Sequence, residues 1–469
     1  MVRGKLGRAI FTIFRYKTAV VSLSIILALL AISIYAVVTV PYSRAVEMWN
    51  SIEYWQELPK LALPSWINIF SPKKLPESII INSYSDNVER KITQFGGMVN
   101  VTFTIRFNYS YDDFPSEIVM KFDVANITKS GELSVLWVKP SGSIVELTRI
   151  PIERPSSYLY YVSQDTSLIK RYRSMIVSRY GREPDYALVP EVFLFAKEDV
   201  SILNKTSLSV DKGEYNIIIS SIFFEQNVSI NFKIYIYGKV YGLFGTDDRR
   251  RDLTLAIIWG APLALSFGLV ASLTIALAQM VIAAISVWYG GFIDYLIQRI
   301  VEIDMVLPFL PILIMIAVIY RLDIWILLAV IIVLFTFGGG IKWYRAYFMS
   351  LKSAAYIEAA KAYGASDMRI ILRYMVPRII PIIVPTLISS VPYFVFLEAA
   401  LAILGVGGGL KVAPTWGRVL DDAVSAGALY RGYYHWVLFP SMMLVITSVA
   451  FALLGFTLER IFNPKLREF

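Results

Sequence analysis

The 469-residue chain contains no cysteine and a single histidine, His435. The first absence excludes disulfides, thiol catalysis and iron–sulfur ligation, and leaves the redox compartment open. The second removes a histidine-based metal centre or Ser–His dyad from consideration and leaves a lone residue near a membrane interface. No G-x-x-x-x-G-K-[ST] phosphate loop occurs anywhere, so the Gly338–Gly340 and Gly407–Gly409 runs read as turns at membrane borders and ATP must bind elsewhere. Charged residues are also scarce, at 17%, against 56% hydrophobic residues and a mean hydropathy of +0.58. That balance points to a bilayer rather than to an aqueous globule. The formal charge of +9 is not a nucleic-acid signature, because the basic residues crowd the ends of apolar runs, where they meet anionic lipid.

Residues 1–18 carry Arg3, Lys5, Arg8, Arg15 and Lys17 without an acid, and residues 19–40 follow as an apolar run long enough to cross a hydrocarbon core of ~30 Å. The run is too long for a signal-peptide core and nothing like an A-x-A site follows it, so it reads as a retained anchor with a cytoplasmic N-terminus. Residues 41–250 change character. Alternating β-rich stretches appear at 99–107, 132–138, 215–224 and 228–237, the last two reading as a hairpin across Glu225-Gln226-Asn227, with a helical pattern at 167–182. Five N-x-S/T sequons, at Asn100, Asn108, Asn126, Asn204 and Asn227, all fall in this segment. It reads as a β-rich, glycosylated, extracytoplasmic domain. Residues 251–469 are mostly membrane, with apolar runs at 261–287, 305–319, 324–337, 379–404 and 436–456. The loop 342–378 holds seven Lys or Arg against Glu358 and Asp367, and the C-terminal tail is basic, so both are expected inside the cell.

Within that loop, residues 353–377 read SAAYIEAAKAYGASDMRIILRYMVP. Two short helical patterns flank Gly364, which suits the left-handed conformation that ends a helix and turns the chain. The first has small residues at Ala355, Ala359, Ala360 and Ala362, a face that lets a partner backbone approach closely. The second is expected to start after Ser366 as N-cap, with Asp367 in its first turn and Pro377 at its end.

This stretch resembles the coupling loop of ABC importer permeases, whose signature is EAA, three residues, Gly, and a Pro thirteen later. Here it runs Glu358-Ala359-Ala360, Gly364, Pro377, with Val376 as the apolar residue before the proline. Further matches resemble the oligopeptide/dipeptide group, C-type subunit. Gly245-Thr246-Asp247 and Arg251-Asp252 are similar to its G-T-D-x-x-G-R-D, with Arg250 standing where the group has its second glycine. Tyr289-Gly290-Gly291 with Asp294 resembles Y-G-G-x-x-D, and Arg299, Glu302 and Pro308 follow the group's R-x-x-[DE]…P spacing. Tyr344-Arg345 resembles Y-[AV]-R with one residue lost. Glu398, Leu404–Gly407 and Pro414-Thr415-Trp416-Gly417 resemble E-A-x-L-x-x-L-G-x-G…P-x-W-G, and Asn463-Pro464 with Leu466-Arg467 resembles D-P-[RK]-L-R.

The resemblance implies a polytopic α-helical membrane protein with six transmembrane helices, and a β-rich extracytoplasmic domain set between helices 1 and 2 that has no counterpart in the group's usual short loop. It implies a multi-pass plasma-membrane permease with both termini cytoplasmic, which is itself no enzyme and carries no cofactor or metal. Its partners would be a second homologous permease, two ABC ATPases that bind ATP and Mg, an extracytoplasmic substrate-binding protein and the lipid bilayer, with no nucleic acid. Glu358, Ala359, Ala360, Gly364, Ala365, Ser366 and Asp367 would seat in the ATPase. Glu398, a charge inside an apolar run, and Pro392, a candidate hinge, would serve the translocation pathway. Oligopeptides are the group's usual cargo, with di- and oligosaccharides as alternatives. The rival reading is a membrane receptor that binds ligand through the external domain. It lacks an inner output domain, since the longest expected inner segment is the coupling loop.

Overall fold

The computed structural model describes residues 16–95, 98–127, 129–224, 228–406 and 412–462. The expectations for residues 1–15, Asn227 and the 225–227 turn, Gly407–Gly409, and the closing Asn463-Pro464 and Leu466-Arg467 fall outside those residues. The chain forms two compact units, Met1–Ser51 with Leu253–Phe469, and Ile52–Asp252.

The first unit opens with α1 (Lys17–Thr39), a helix without interior Gly or Pro. Its Ser22 and Ser33 hydroxyls donate back to the carbonyls of Ala19 and Leu29, at 2.9 and 2.7 Å, so the apolar helix carries no unpaired polar group there. Pro41 precedes α2 (Tyr42–Asn50).

The second unit is a β-sandwich. One sheet has the order β1 (Ile79–Asn82), β9 (Ser229–Tyr237), β4 (Glu117–Ala125), β7 (Ser156–Tyr161). The other has the order β2 (Val88–Phe95), β3 (Met98–Tyr109), β8 (Gly213–Phe223), β5 (Gly131–Val138), β6 (Ile144–Ile152). All pairs are antiparallel. Period-two alternation sends Val101, Phe103 and Ile105 of β3 inward against Phe122 of β4 and Phe232 of β9, with the Phe103 and Phe232 rings edge-to-face at 5.1 Å. The expected hairpin at 215–237 does not form. β8 pairs with β3 and β5, whereas β9 pairs with β1 and β4 in the opposite sheet. Both strands are inward-facing on alternate residues, and each finds a more extensive partner elsewhere than in the other. The helical pattern at 167–182 becomes α3 (Thr166–Tyr180), capped by Asp165 through the Ser167 and Leu168 N–H groups and ended by Gly181 at φ +74°. A one-and-a-half-turn helix, α4 (Pro190–Phe195), buries Phe193, Leu194 and Phe195 in the same core.

The first unit resumes with α5 (Leu253–Tyr289), α6 (Gly291–Val306), α7 (Phe309–Tyr320), α8 (Ile324–Thr336), α9 (Gly340–Lys352), α10 (Ala355–Ala362), α11 (Asp367–Ile403), α12 (Trp416–Ser425) and α13 (Tyr434–Phe462). Among the described residues, α1, α5, α11 and α13 are each long and apolar enough to cross a membrane. The pairs α6–α7 and α8–α9 pass the same test together but bend by 79° and 49°, which gives up to six spans if each bent pair counts as one. The first bend falls at Leu307-Pro308, where the proline has no N–H to give to the preceding turn.

Pro377 does not end a helix, contrary to expectation. The helix that begins at Asp367 runs through it to Ile403, with a π-helical stretch at Ile370–Met375 just ahead. Pro377 stands in the first turn of the α stretch that follows, where a missing N–H costs least, and Pro381, Pro385 and Pro392 lie further along the same helix.

Candidate functional site: the coupling elbow

α10 and the start of α11 form a bent elbow, and its turn is built as the sequence predicts. Tyr363 N–H donates to Ala359 O, Gly364 N–H to Lys361 O, and Ala365 N–H to Ala360 O at 3.1 Å, a six-residue closure that uses up the free carbonyls of α10. Gly364 sits at φ +73° with open space where a Cβ would stand, so the backbone conformation alone demands glycine. Ser366 takes the extended N-cap conformation, and its carbonyl accepts from Ile370 N–H, but its hydroxyl makes no capping bond. Asp367 lies in the first turn, where the helix dipole favours its charge.

The elbow has two sides. Ala355, Glu358, Ala359, Ala362, Gly364, Ser366 and Asp367 are exposed, and Ala365 is half-buried. Ala360 is not on this outer face. It is 6% exposed and, with Ile357, plugs a core made with Trp288 of α5, Tyr344 and Phe348 of α9, and Ile370 and Met375 of α11. At i and i+3 these two residues share one face of α10, so the EAA tripeptide splits between an exposed Glu358-Ala359 pair and a buried anchor. Tyr363, 91% exposed, and Met368 extend the outer face with apolar surface. Sequence reasoning passed over both; an aromatic directly before the turn glycine was the available signal.

Polar ties bind the elbow's root to α5 and α6. The Lys361 ammonium stands 4.6 Å from the centre of the Trp288 ring. Lys352 Nζ donates to the carbonyls of Val287 and Trp288, at 2.7 and 2.9 Å, capping the C-terminal end of α5. Arg345 holds Asp294 with two bonds, Nε to Oδ1 at 2.8 Å and Nη2 to Oδ2 at 2.5 Å, and Ser286 donates to the same carboxylate. The residues matched to Y-G-G-x-x-D and Y-[AV]-R thus form one ion pair.

Glu398 is buried in α11 with its carboxyl hydrogen-bonded to the Thr415 hydroxyl. Around it the Glu398 and Pro-Thr-Trp-Gly matches close into one cluster. Trp416 Nε1 donates to Ile257 O at 2.9 Å, a Cβ on Gly260 would lie 2.2 Å from the Trp416 ring, and a Cβ on Gly417 would lie 2.6 Å from Ala399 Cα. The cavity beside Glu398, about 20 Å³, has room for one water and no more. A larger groove, about 490 Å³, lies elsewhere, lined by Trp343, Tyr347, Pro385, Thr386, Ser389 and Phe456 of α9, α11 and α13. Pro392 is half-buried, one turn along α11 from Ser389. Among the described residues, no group of three or more His, Asp or Glu could hold a metal ion.

A family model described as the binding-protein-dependent transport system inner membrane component matches residues 254–468. The dipeptide transport system permease protein DppC of Bacillus subtilis (strain 168) is 30% identical over 228 residues, covering 48% of this chain and 69% of that protein. The oligopeptide transport system permease protein OppC of the same organism is 31% identical over 229 residues, covering 48% and 72%. The glutathione transport system permease protein GsiD of Escherichia coli O6:K15:H31 (strain 536 / UPEC) is 31% identical over 225 residues, again covering 48% and 72%.

Proposed function

We propose, from the premise that this chain belongs to the binding-protein-dependent transport system inner membrane component family, that it forms half of a conduit for peptides and is driven through its elbow by a separate ATPase. As a permease subunit of an ABC transporter it stands closer to the transport reading than to the receptor alternative. Peptides are the cargo named for the relatives above, with glutathione, itself a tripeptide, among them.

The observation that carries the reading is the division of the elbow into an exposed outer face and a buried root. Glu358, Ala359, Ser366 and Asp367 present small and acidic groups outward, while Ile357 and Ala360 sit in a close-packed core shared with α5, α9 and α11. A push on the outer face is therefore passed to three helices at once, because packed interiors yield little. The Lys361–Trp288 contact and the Lys352 cap carry the same displacement to the end of α5. In this reading α1, the bent pairs, α5, α11 and α13 make six spans with both termini inside. A second permease supplies the other half of the conduit, with its groove facing the one lined by Trp343, Tyr347 and Ser389. Two ATPases carry ATP and Mg, and an external binding protein delivers cargo. Glu398 ties α11 to α12 in this arrangement instead of touching cargo.

The same topology places the Ile52–Asp252 unit outside. Asn108, Asn126 and Asn204 are exposed there and open to glycosylation. Asn100 is half-buried on β3 with its Oδ1 accepting from Ser220.

The absence of native cysteine makes the test clean. Ser366→Cys, treated in inside-out vesicles with a short thiol cross-linker, is expected to join a P-loop ATPase subunit in a manner that ATP changes. Labelling of Ser366→Cys only by an impermeant reagent added from outside would overturn both the topology and the docking role.

A further inference from the structure

We propose that the outer face of the four-stranded sheet carries a binding site for a neutral saccharide, centred on Tyr84 and Asn231. The site is a pocket of about 330 Å³ whose lining includes Asn82, Ser83, Tyr84, Asp123, Asn231 and Lys233. That volume is at the small end of the ~300–1,000 Å³ range of ligand sites.

The strands fix its shape. Antiparallel register sets Asn82 of β1 opposite Lys233 of β9, and Asp123 of β4 opposite Asn231 of β9, all on the face turned away from the sandwich core. The turn after β1 then folds back over β9. Ser83 N–H donates to Phe232 O, Ser85 Oγ accepts from Asn82 N–H, and the Tyr84 hydroxyl donates to Asn231 Oδ1 at 2.8 Å. Those bonds hold the tyrosine by its tip while the ring stays 84% exposed. A large ring kept in water and fixed at its polar end makes a ready platform for the C–H face of a sugar.

The polar groups around the ring choose the class of ligand. Asn82 Oδ1 is buried and lacks a hydrogen-bond partner. An unmet acceptor in the pocket wall favours a ligand that donates hydrogen bonds. Asn231, Ser83 and Ser85 add neutral donors and acceptors of the kind that read hydroxyl groups. The two charges at the pocket are already matched, Lys233 by Glu57 at 3.0 Å and Asp123 by Lys121 at 3.6 Å. No net charge is left to hold the termini of a peptide or an anion. The site is separate from the elbow and the groove, and it stands or falls independently of the transport reading.

The test is titration of the full chain in lipid nanodiscs, followed by saturation-transfer NMR, with maltotriose, a released high-mannose glycan and trialanine as probes. One of the two sugars is expected to bind saturably, with at least tenfold weakening in Tyr84→Ala and in Asn231→Ala and retention in Tyr84→Trp. Maltotriose as the better ligand identifies a free-sugar site, and the glycan as the better ligand identifies a site for cell-surface glycans. Thermal unfolding of Tyr84→Ala should match the parent, since the ring is exposed, so lost binding is not lost folding. No saturation by either sugar up to about 10 mM, tighter binding of trialanine, or sugar binding indifferent to Tyr84→Ala each overturns the proposal.

Discussion

Arg250 Nη2 donates to Glu117 Oε2 across 133 positions of the chain, from a residue whose φ is +66°. The same guanidinium donates to Leu58 O at 2.7 Å and lies 4.0 Å from the centre of the Tyr237 ring. Arg250 takes a left-handed backbone conformation that glycine adopts without strain, at the position where the resembled G-T-D-x-x-G-R-D pattern carries a glycine. The arginine accepts a backbone strain of roughly 1–2 kcal/mol. In return it joins the turn to β4 and to residues before β1 through contacts worth ~1.5–3 kcal/mol each for charge-assisted bonds.

Restoring the glycine should therefore destabilise the sandwich. Arg250→Gly relieves the strain but loses the Glu117 and Leu58 bonds and the Tyr237 contact, and the second effect is larger. A net loss of about 2 kcal/mol is expected, read as an earlier urea midpoint for unfolding of the sandwich. A variant more stable than the parent would show that the contacts contribute less than the strain costs.

Arg345 and Asp294 lead to a second prediction. The two parallel bonds need a planar fork, which lysine lacks. Arg345→Lys should lower thermal stability in detergent by an amount corresponding to ~1–2 kcal/mol, and Asp294→Asn by a similar amount. The double substitution should cost less than the sum of the two, because each single change already breaks the pair. Additive losses would mean that the two side chains act separately.

The sequence carried much of this fold and left out specific parts for physical reasons. The elbow was legible because glycine, an acidic first turn and alanine spacing are local signals: α10 and the start of α11 fall where they were expected. Which alanine is buried was not legible, because Ala359 and Ala360 differ only in which side of α10 meets α5 and α9. Strand positions in the sandwich followed from period-two alternation, but their pairing did not. Alternation is blind to which sheet a strand joins, and β8 and β9 join different ones. Pro377 misled for a related reason. Proline interrupts a helix by removing one N–H and crowding the preceding turn, and a long apolar helix absorbs that local cost, as Pro381, Pro385 and Pro392 in the same helix show. The Glu398 cluster could be found only as scattered motif letters, since Glu398–Thr415, Ala399–Gly417 and Trp416–Gly260 are tertiary contacts.

Gly364 offers a test of the elbow's geometry apart from its surface chemistry. No neighbour stands within 4 Å of a hypothetical Cβ, so Gly364→Ala adds no clash and costs only the left-handed backbone, roughly 1–2 kcal/mol. Asparagine tolerates that region better. ATPase association with the permease is expected to fall in the order glycine, asparagine, alanine, with proline abolishing it. The check is co-purification of the ATPase subunit. Equal association across all four would remove the turn from the docking role.

Glu191 predicts how the sandwich responds to pH. The residue is 1% exposed in α4, and burial pushes its pKa above the ordinary value near 4.5. A carboxyl with a raised pKa in the folded state favours folding only while protonated. Its contribution is complete below the ordinary value and is lost as pH climbs through the folded-state value. The sandwich should thus gain stability on acidification from neutral toward pH ~4.5, as far as this group governs it. Glu191→Gln keeps the shape without the ionisable proton. The variant should be more stable than the parent at neutral pH, by a margin that shrinks toward zero as the pH falls to the ordinary carboxylate value. Urea unfolding of parent and variant at a series of pH values reads the difference directly. A constant difference across the series would show that Glu191 stays in one protonation state throughout and that its burial does not govern the acid response.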